Sequence, residues 1–248
     1  MKRVVFALAV GALLFAAESA AQIPASRFTI SISGGLQAAA PKLSDEFPSF
    51  EAELREQGTV NVAYPAQQGI LVDAGMTYRL RRTIRAGVAV SYATSDGAAQ
   101  IAARVPHPFL FNAFRDIAGA SPKLSRKELG IHPQIQRAVA LTRRLHLVLG
   151  GGPSYFNVER RLVDTVQFDH VYPYDTATYR SSTSARGKGS GFGFNVSADA
   201  IWPFARKVAV GAAVRFARGT VELESRGGRR VDADAGGLQG GAGLRFFF

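Results

Sequence analysis

The chain has 248 residues, a formal net charge of +11 and a mean hydropathy of +0.03. The absence of cysteine excludes disulfides, thiol chemistry and cysteine-based metal sites. No segment after the first seventeen residues is apolar for long enough to predict a transmembrane helix.

The N-terminus sets the compartment. Lys2 and Arg3 precede an uncharged apolar run from Val4 to Ala17, and Ser19-Ala20-Ala21 places small residues where a signal peptidase reads. This order predicts a cleaved secretory signal over residues 1–21, with 22–248 as the exported domain. The apolar run is too short for a spanning helix, which needs about 20 residues. Export removes nucleic acid from the expected partners of a basic chain. Outer-membrane lipids and lipopolysaccharide phosphates take its place.

From residue 27 onward the dominant signal has period two, the mark of strands with two unlike faces. Residues 27–37 set Phe28, Ile30 and Ile32 against Thr29, Ser31 and Ser33. Residues 69–80 set Ile70, Val72, Ala74, Met76 and Tyr78 against Leu71, Asp73, Gly75, Thr77 and Arg79. After a turn at 81–83, residues 84–92 oppose Ile84, Ala86, Val88 and Val90 to Arg85, Gly87, Ala89 and Ser91. Residues 129–141 carry His132, Gln134 and Gln136 on the polar face, and a turn at 142–144 leads into alternation over 145–155. Residues 190–202 oppose Phe192, Phe194, Val196 and Trp202 to glycines, Asn195, Ser197 and Asp199. A turn at 203–207 precedes residues 208–216, where Val208, Val210, Val214 and Phe216 face away from Arg215. The last strand, 238–248, opposes Leu238, Leu244, Phe246 and Phe248 to Gln239 and Arg245.

These are eight strands joined by alternating long (38–68, 95–128, 163–189, 224–237) and short (81–83, 142–144, 203–207) connections. The pattern predicts an all-β fold: an eight-stranded antiparallel up-and-down transmembrane barrel with short periplasmic turns and long extracellular loops. The large residues share one face, and the other is small or polar without lysine, as expected when lipid lies outside and a narrow polar interior within. Glycines suit the tightly curved wall.

The layout resembles the small bacterial outer-membrane barrels of the OmpA, OmpX and OmpW type. The most specific element is GGLQGGAGLRFFF at 236–248. Its alternation ending on a terminal Phe resembles the signal read by the barrel-assembly machinery, here Leu244, Phe246 and Phe248. The resemblance implies outer-membrane localisation and a monomer. No peptidoglycan-binding segment follows Phe248, so a wall-anchoring role is not expected.

An eight-stranded barrel is about wide enough for its side chains to fill it. Asp73, Arg79, Arg85, His132, Gln134, Asp199, Arg215, Gln239 and Arg245 are therefore expected to form a structural polar network that plugs the lumen. The rival reading is a narrow path for ionic or small hydrophobic solutes. Enzymatic readings, such as lipid modification, start from His132 and His146 on inward positions and His107 and His170 in long connections. No compact Ser-His-Glu spacing accompanies them, and Asp169-His170 are neighbours that point apart on a strand. No catalytic, metal-binding or cofactor-binding residues are assigned. The glycine runs at 150–152 and 187–193 lack the order of a phosphate-binding loop.

The connections are the remaining functional surface. Residues 50–57 are read as a short helix. The apolar cluster at 107–114 is read as a lid over the barrel mouth, with a ligand or partner site as the alternatives. The aromatic segment 171–179 is of the kind that binding loops use. The short turns are basic at Arg81, Arg82, Arg143, Arg144, Arg206 and Lys207, and are expected to form a periplasmic rim that attracts anionic phospholipid.

Overall fold

The computed structural model describes residues 26–39, 41–51, 56–142, 144–225 and 228–248. The predicted signal at 1–21 and Arg143 lie outside the described residues. The strands in chain order are β1 (Phe28–Ala39), β2 (Leu43–Glu51), β3 (Gln57–Tyr64), β4 (Gly69–Arg79), β5 (Ile84–Gly97), β6 (Gln100–Pro106), β7 (Phe114–Ala120), β8 (Leu124–Ala140), β9 (His146–Val171), β10 (Thr176–Pro203), β11 (Val208–Ser225) and β12 (Arg230–Phe247).

Eight of them close a barrel in the order β1-β12-β11-β10-β9-β8-β5-β4, with antiparallel pairing throughout. These are the eight strands that the alternation predicts. Closure gives every wall strand two ladder neighbours, so no backbone edge is left facing lipid. Phe28 and Phe248 exchange both backbone hydrogen bonds across the closing seam, at 3.1 and 3.0 Å.

The long connections differ from expectation, because each builds further sheet. Segments 38–68 and 95–128 each contain a hairpin, β2–β3 and β6–β7. Pairing of β3 with β6 joins these into a second, four-stranded sheet in the order β2-β3-β6-β7. Segment 163–189 is a continuation of β9 and β10, which run on to Val171 and start again at Thr176. The pairing of β11 with β12 likewise extends to Glu224 and Arg230. Of the segment 50–57, expected as a short helix, Phe50 and Glu51 end β2 and Gln57 opens β3, while 52–55 lie outside the described residues. Period-two spacing in the connections wins, because Val60, Val62 and Tyr64 on β3 and Ile101, Ala103 and Val105 on β6 all turn inward.

The molecule thus has two stacked halves. In the lower half the outward side chains are exposed and apolar, among them Ile32, Val72, Met76, Ile135, Val196 and Val210. In the upper half the four-stranded sheet and the extended ends of β9–β12 enclose an apolar core that includes Phe47, Val60, Tyr64, Phe156, Leu162, Val221 and Leu223. The lower half is built for lipid and the upper half, hereafter the head, for water.

Candidate functional site

The lumen is filled by paired polar side chains. Arg215 Nη1 lies 2.5 Å from Asp73 Oδ2, with a longer 3.5 Å contact to Gln239 Oε1. Arg245 donates to Asp199 from Nε and Nη2 (2.8 and 3.0 Å) and to Ser33 Oγ from Nη1 (2.8 Å). Gly211 makes this possible, since a Cβ there would stand 2.8 Å from the Arg245 guanidinium. His132 is fully buried between Ser91 Oγ (2.9 Å from Nε2) and Ser154 Oγ (2.8 Å from Nδ1). Gln134 donates to Asn195 Oδ1 at 2.7 Å, and Asn195 donates to Ser154 Oγ at 2.9 Å. Arg85 is buried and donates to Thr29 Oγ1 at 3.4 Å, directly across the β4–β5 ladder from the half-buried Arg79.

Both ends of this network are capped. At the turn end, Phe247 points inward onto Ala138, Val148, Ile201 and Ala209. At the other end sits a ring where the polar lumen meets the apolar head. There Arg126 and Glu128 form a buried ion pair, and Glu128 also accepts from Gly236 N at 3.1 Å. Gln37 donates to Gly236 O. Gly236 has φ +90°, a conformation that disfavours any other residue, and its backbone turns both polar groups inward to meet this ring. Between the caps, the cavity beside Asp73, Arg215 and Gln239 holds about 30 Å³, room for about two waters.

The Ser91-His132-Ser154 arrangement brings a histidine and hydroxyls together, which the sequence spacing did not reveal. All three side chains are buried, and no carboxylate among the described residues bonds the ring. Its local effect is to tie β5, β8 and β9 together. Inward His146 is buried as well, at the turn end.

The head is pinned at its flanks. Arg229 pairs with Asp45 (3.0 Å), donates to Val163 O (2.7 Å) and lies over the Phe47 ring at 4.1 Å, joining the β11–β12 turn to β2 and β9. Burial raises the Asp45 carboxyl, with Arg229 opposing that effect. Val163 N donates to Tyr64 Oη at 2.8 Å, and burial pushes the Tyr64 hydroxyl up to about 12. Arg160 lies over the Tyr64 ring at 4.6 Å; burial, reinforced by Arg126, lowers it to about 10.

At the distal tip two segments singled out in the sequence meet. Arg115 is buried on β7 and reaches across to the β9–β10 turn. It donates to Tyr174 O (3.1 Å), Thr176 O (3.4 Å) and Pro106 O (2.7 Å), and its Nη1 lies 2.9 Å from His170 Nδ1. His107 Nδ1 accepts from the backbone of Phe109 and Leu110, both at 3.1 Å. Phe109 meets the Tyr174 ring at 5.2 Å. The 107–114 cluster is therefore not a lid. The mouth is closed by the head core, and Phe109, Leu110 and Phe111 point into solvent. Among the described residues no group of three or more His, Asp or Glu side chains gathers at the tip, and His107 Nδ1 is taken up by two backbone N–H groups.

Of the basic turn residues, Arg81, Arg82, Arg144, Arg206 and Lys207 are exposed in the turns after β4, β8 and β10, at the end of the barrel where Phe28 and Phe248 pair. Of the terminal pattern, Leu244 and Phe248 face outward and Phe246 is half-buried. The sequence reading did not assign Gln37, Arg115, Arg126 or Glu128 to the network or the tip, and it placed Asn195 on the polar face without a partner. Strand parity also puts Phe247 on the face of Arg245, but the partners of all these side chains depend on register across strands remote in sequence.

A closed eight-stranded wall with an apolar outer belt and a polar interior defines an integral outer-membrane β-barrel protein. No family model matches the sequence, and no curated protein matches it. Among solved structures, the chain is similar to Neisserial surface protein A over 90% of this chain and 98% of the other, at 12% identity and TM-score 0.43. It is also similar to the outer membrane protease OmpT from Escherichia coli, over 93% and 99% at 10% identity and TM-score 0.49. A third likeness is to Ail, the attachment invasion locus protein of Yersinia pestis, in complex with the heparin analogue sucrose octasulfate, over 89% and 99% at 11% identity and TM-score 0.33.

Proposed function

We propose that this protein is a non-conducting outer-membrane barrel that serves as a rigid mount for an extracellular recognition head. The observation that carries the reading is the continuity of β9–β12 from the lipid-facing wall into the packed head. Binding surfaces that are rigid before contact lose less entropy on binding, and a head sharing its strands with a membrane anchor is held in one orientation. The ion-paired lumen, with caps at both ends, supports a structural rather than a conducting interior.

The test uses the full-length protein reconstituted in planar bilayers, with an unboiled gel to check that the barrel is folded. The expected result is a heat-modifiable species with no steady conductance. Stable porin-like channels from that folded species would overturn the reading in favour of solute passage.

A further inference from the structure

The distal tip presents an apolar surface to water, far from the belt that faces lipid. Phe109, Phe111 and Tyr172 are 64%, 75% and 83% exposed, and Leu110 and Val171 beside them are also exposed. Isolated exposed apolar residues are ordinary, but a contiguous group on a soluble surface marks a contact site. These side chains come from two turns far apart in sequence, so the group is a product of the fold. It is also held: the buried Arg115 guanidinium clamps the carbonyls of one turn, and the buried His107 ring caps the backbone of the other. A third turn joins through Asn112 N, which donates to Glu56 Oε1 at 2.6 Å.

The crown does not share the chain's excess of positive charge. Among the described residues, its ionised neighbours on the three turns and adjoining strand ends are Glu56, Asp116, Asp169 and Asp175 against Arg104, Arg115 and Arg180, a balance of −1 where the chain carries +11. An anionic membrane or polyanion is therefore disfavoured at the tip. Phe, Leu and Tyr side chains projecting at one end of a rigid rod match the boundary between acyl chains and uncharged head groups, where aromatic rings reside by preference.

We infer that the crown inserts into a zwitterionic phospholipid bilayer facing the cell surface, with Phe109, Leu110, Phe111 and Tyr172 as the inserted side chains. This rests on the reading of the head as a recognition element. Several large side chains moving from water into the acyl boundary supply the attraction, and the brace around Arg115 limits the entropy lost.

The experiment uses full-length protein in nanodiscs and separate phosphatidylcholine vesicles. The readouts are co-flotation and the emission of a Phe111→Trp variant, which reports the tip alone once Trp202 is replaced by Phe. The expected result is co-flotation, a blue shift of the Trp emission on adding vesicles, and a smaller shift when phosphatidylglycerol is included. A Phe109→Ser/Leu110→Ser/Phe111→Ser variant should lose about tenfold or more in vesicle affinity, given the apolar area removed, while keeping its unboiled gel mobility. Absence of co-flotation, an unshifted Trp, equal binding by the triple variant, or a larger shift with phosphatidylglycerol would each overturn the inference. Vesicle-independent pairing of nanodiscs through the tip would overturn it in favour of a second copy as occupant. None of these outcomes touches the sealed-barrel reading, which stands or falls on conductance.

Discussion

Strand β11 crosses two solvents, and its side chains change roles on the way. Below Ala217 the outward residues include Val210, Val214 and Phe216, and the inward ones are Ala209, Gly211, Ala213 and Arg215. Above Ala217 the outward residues are Arg218, Thr220, Glu222 and Glu224, and the inward ones include Val221 and Leu223. The backbone ladder to β12 continues through the crossing with an unbroken register. Only the solvent outside changes. Against lipid the apolar residues belong outside and the interior is free to be polar. Against water they must be inside. The two halves teach that one pleated wall serves both solvents, provided the polarity of its faces inverts at the level of Gly236 and the Arg126–Glu128 pair.

Opposite errors in the two halves give the sharpest break of this comparison. Val221→Arg places a charge in the head core and should cost at least about 4 kcal/mol, since nothing there can pair with it. Limited proteolysis should then cut the head while the unboiled gel still shows a folded barrel. Val214→Arg, on the lipid face, should cost about 2–4 kcal/mol and lower the yield of inserted barrel without exposing the head. If either variant fails both assays, the halves fold as one unit.

Asp73→Ala tests the lumen. It leaves the half-buried Arg215 without its carboxylate and should cost about 3 kcal/mol or somewhat less, read as a lower urea midpoint in detergent. Adding Arg215→Met should restore most of the loss. A double variant as weak as the single one would show that the pair does more than balance charge.

The rim is the third level of the molecule. Neutralising Arg81 and Arg82, or Arg206 and Lys207, should weaken co-flotation with anionic vesicles by about 1 kcal/mol per charge. Equal binding by the neutralised and native proteins would reduce the rim to a solubility feature.

The smallest effect is expected at the tip, as a response to acid. Burial lowers the tendency of His170 to take a proton, and Arg115 and His107 add to this while Asp169 opposes it. Its folded value therefore lies below the ordinary value of about 6.5. An open tip binds the proton more readily than the folded one. The stability that neutral His170 contributes is complete above pH 6.5 and is lost as pH falls from there through the depressed folded value. The protection factors of amides at 107–112 and 172–176, corrected for the intrinsic exchange rate at each pH, should fall between pH 7.5 and 5, and those of a His170→Gln variant should fall less. An unchanged response in that variant would show that His170 is not the group responsible.

The alternation of Ile70 through Tyr78, of Phe192 through Trp202 and of Leu238 through Phe248 was enough to place eight wall strands, because the membrane demands strict two-sidedness along each. The inward positions of Asp73, Asp199, Arg215 and Arg245 followed from the same parity. The hairpins β2–β3 and β6–β7 were harder to read. Their alternation is short, and a segment compatible with loop, lid or helix in isolation becomes sheet only when it pairs with a partner, as β3 does with β6. Residues 107–114 were misplaced for a related reason. Apolar side chains in a connection ordinarily fold over a core, and here that place is already filled by Phe156, Leu162, Val221 and their neighbours.

By itself the sequence determined the number of wall strands, the face each residue takes and the solvent that each face expects. Those properties follow from parity along a single strand. The tertiary structure alone decided which inward charges meet, that the long connections fuse into a packed head, and that His107, Arg115 and His170 gather under an exposed apolar crown. These depend on register and pairing between segments as many as 212 residues apart, as in the bond from Arg245 to Ser33. Contacts of that range exist only once the barrel has closed.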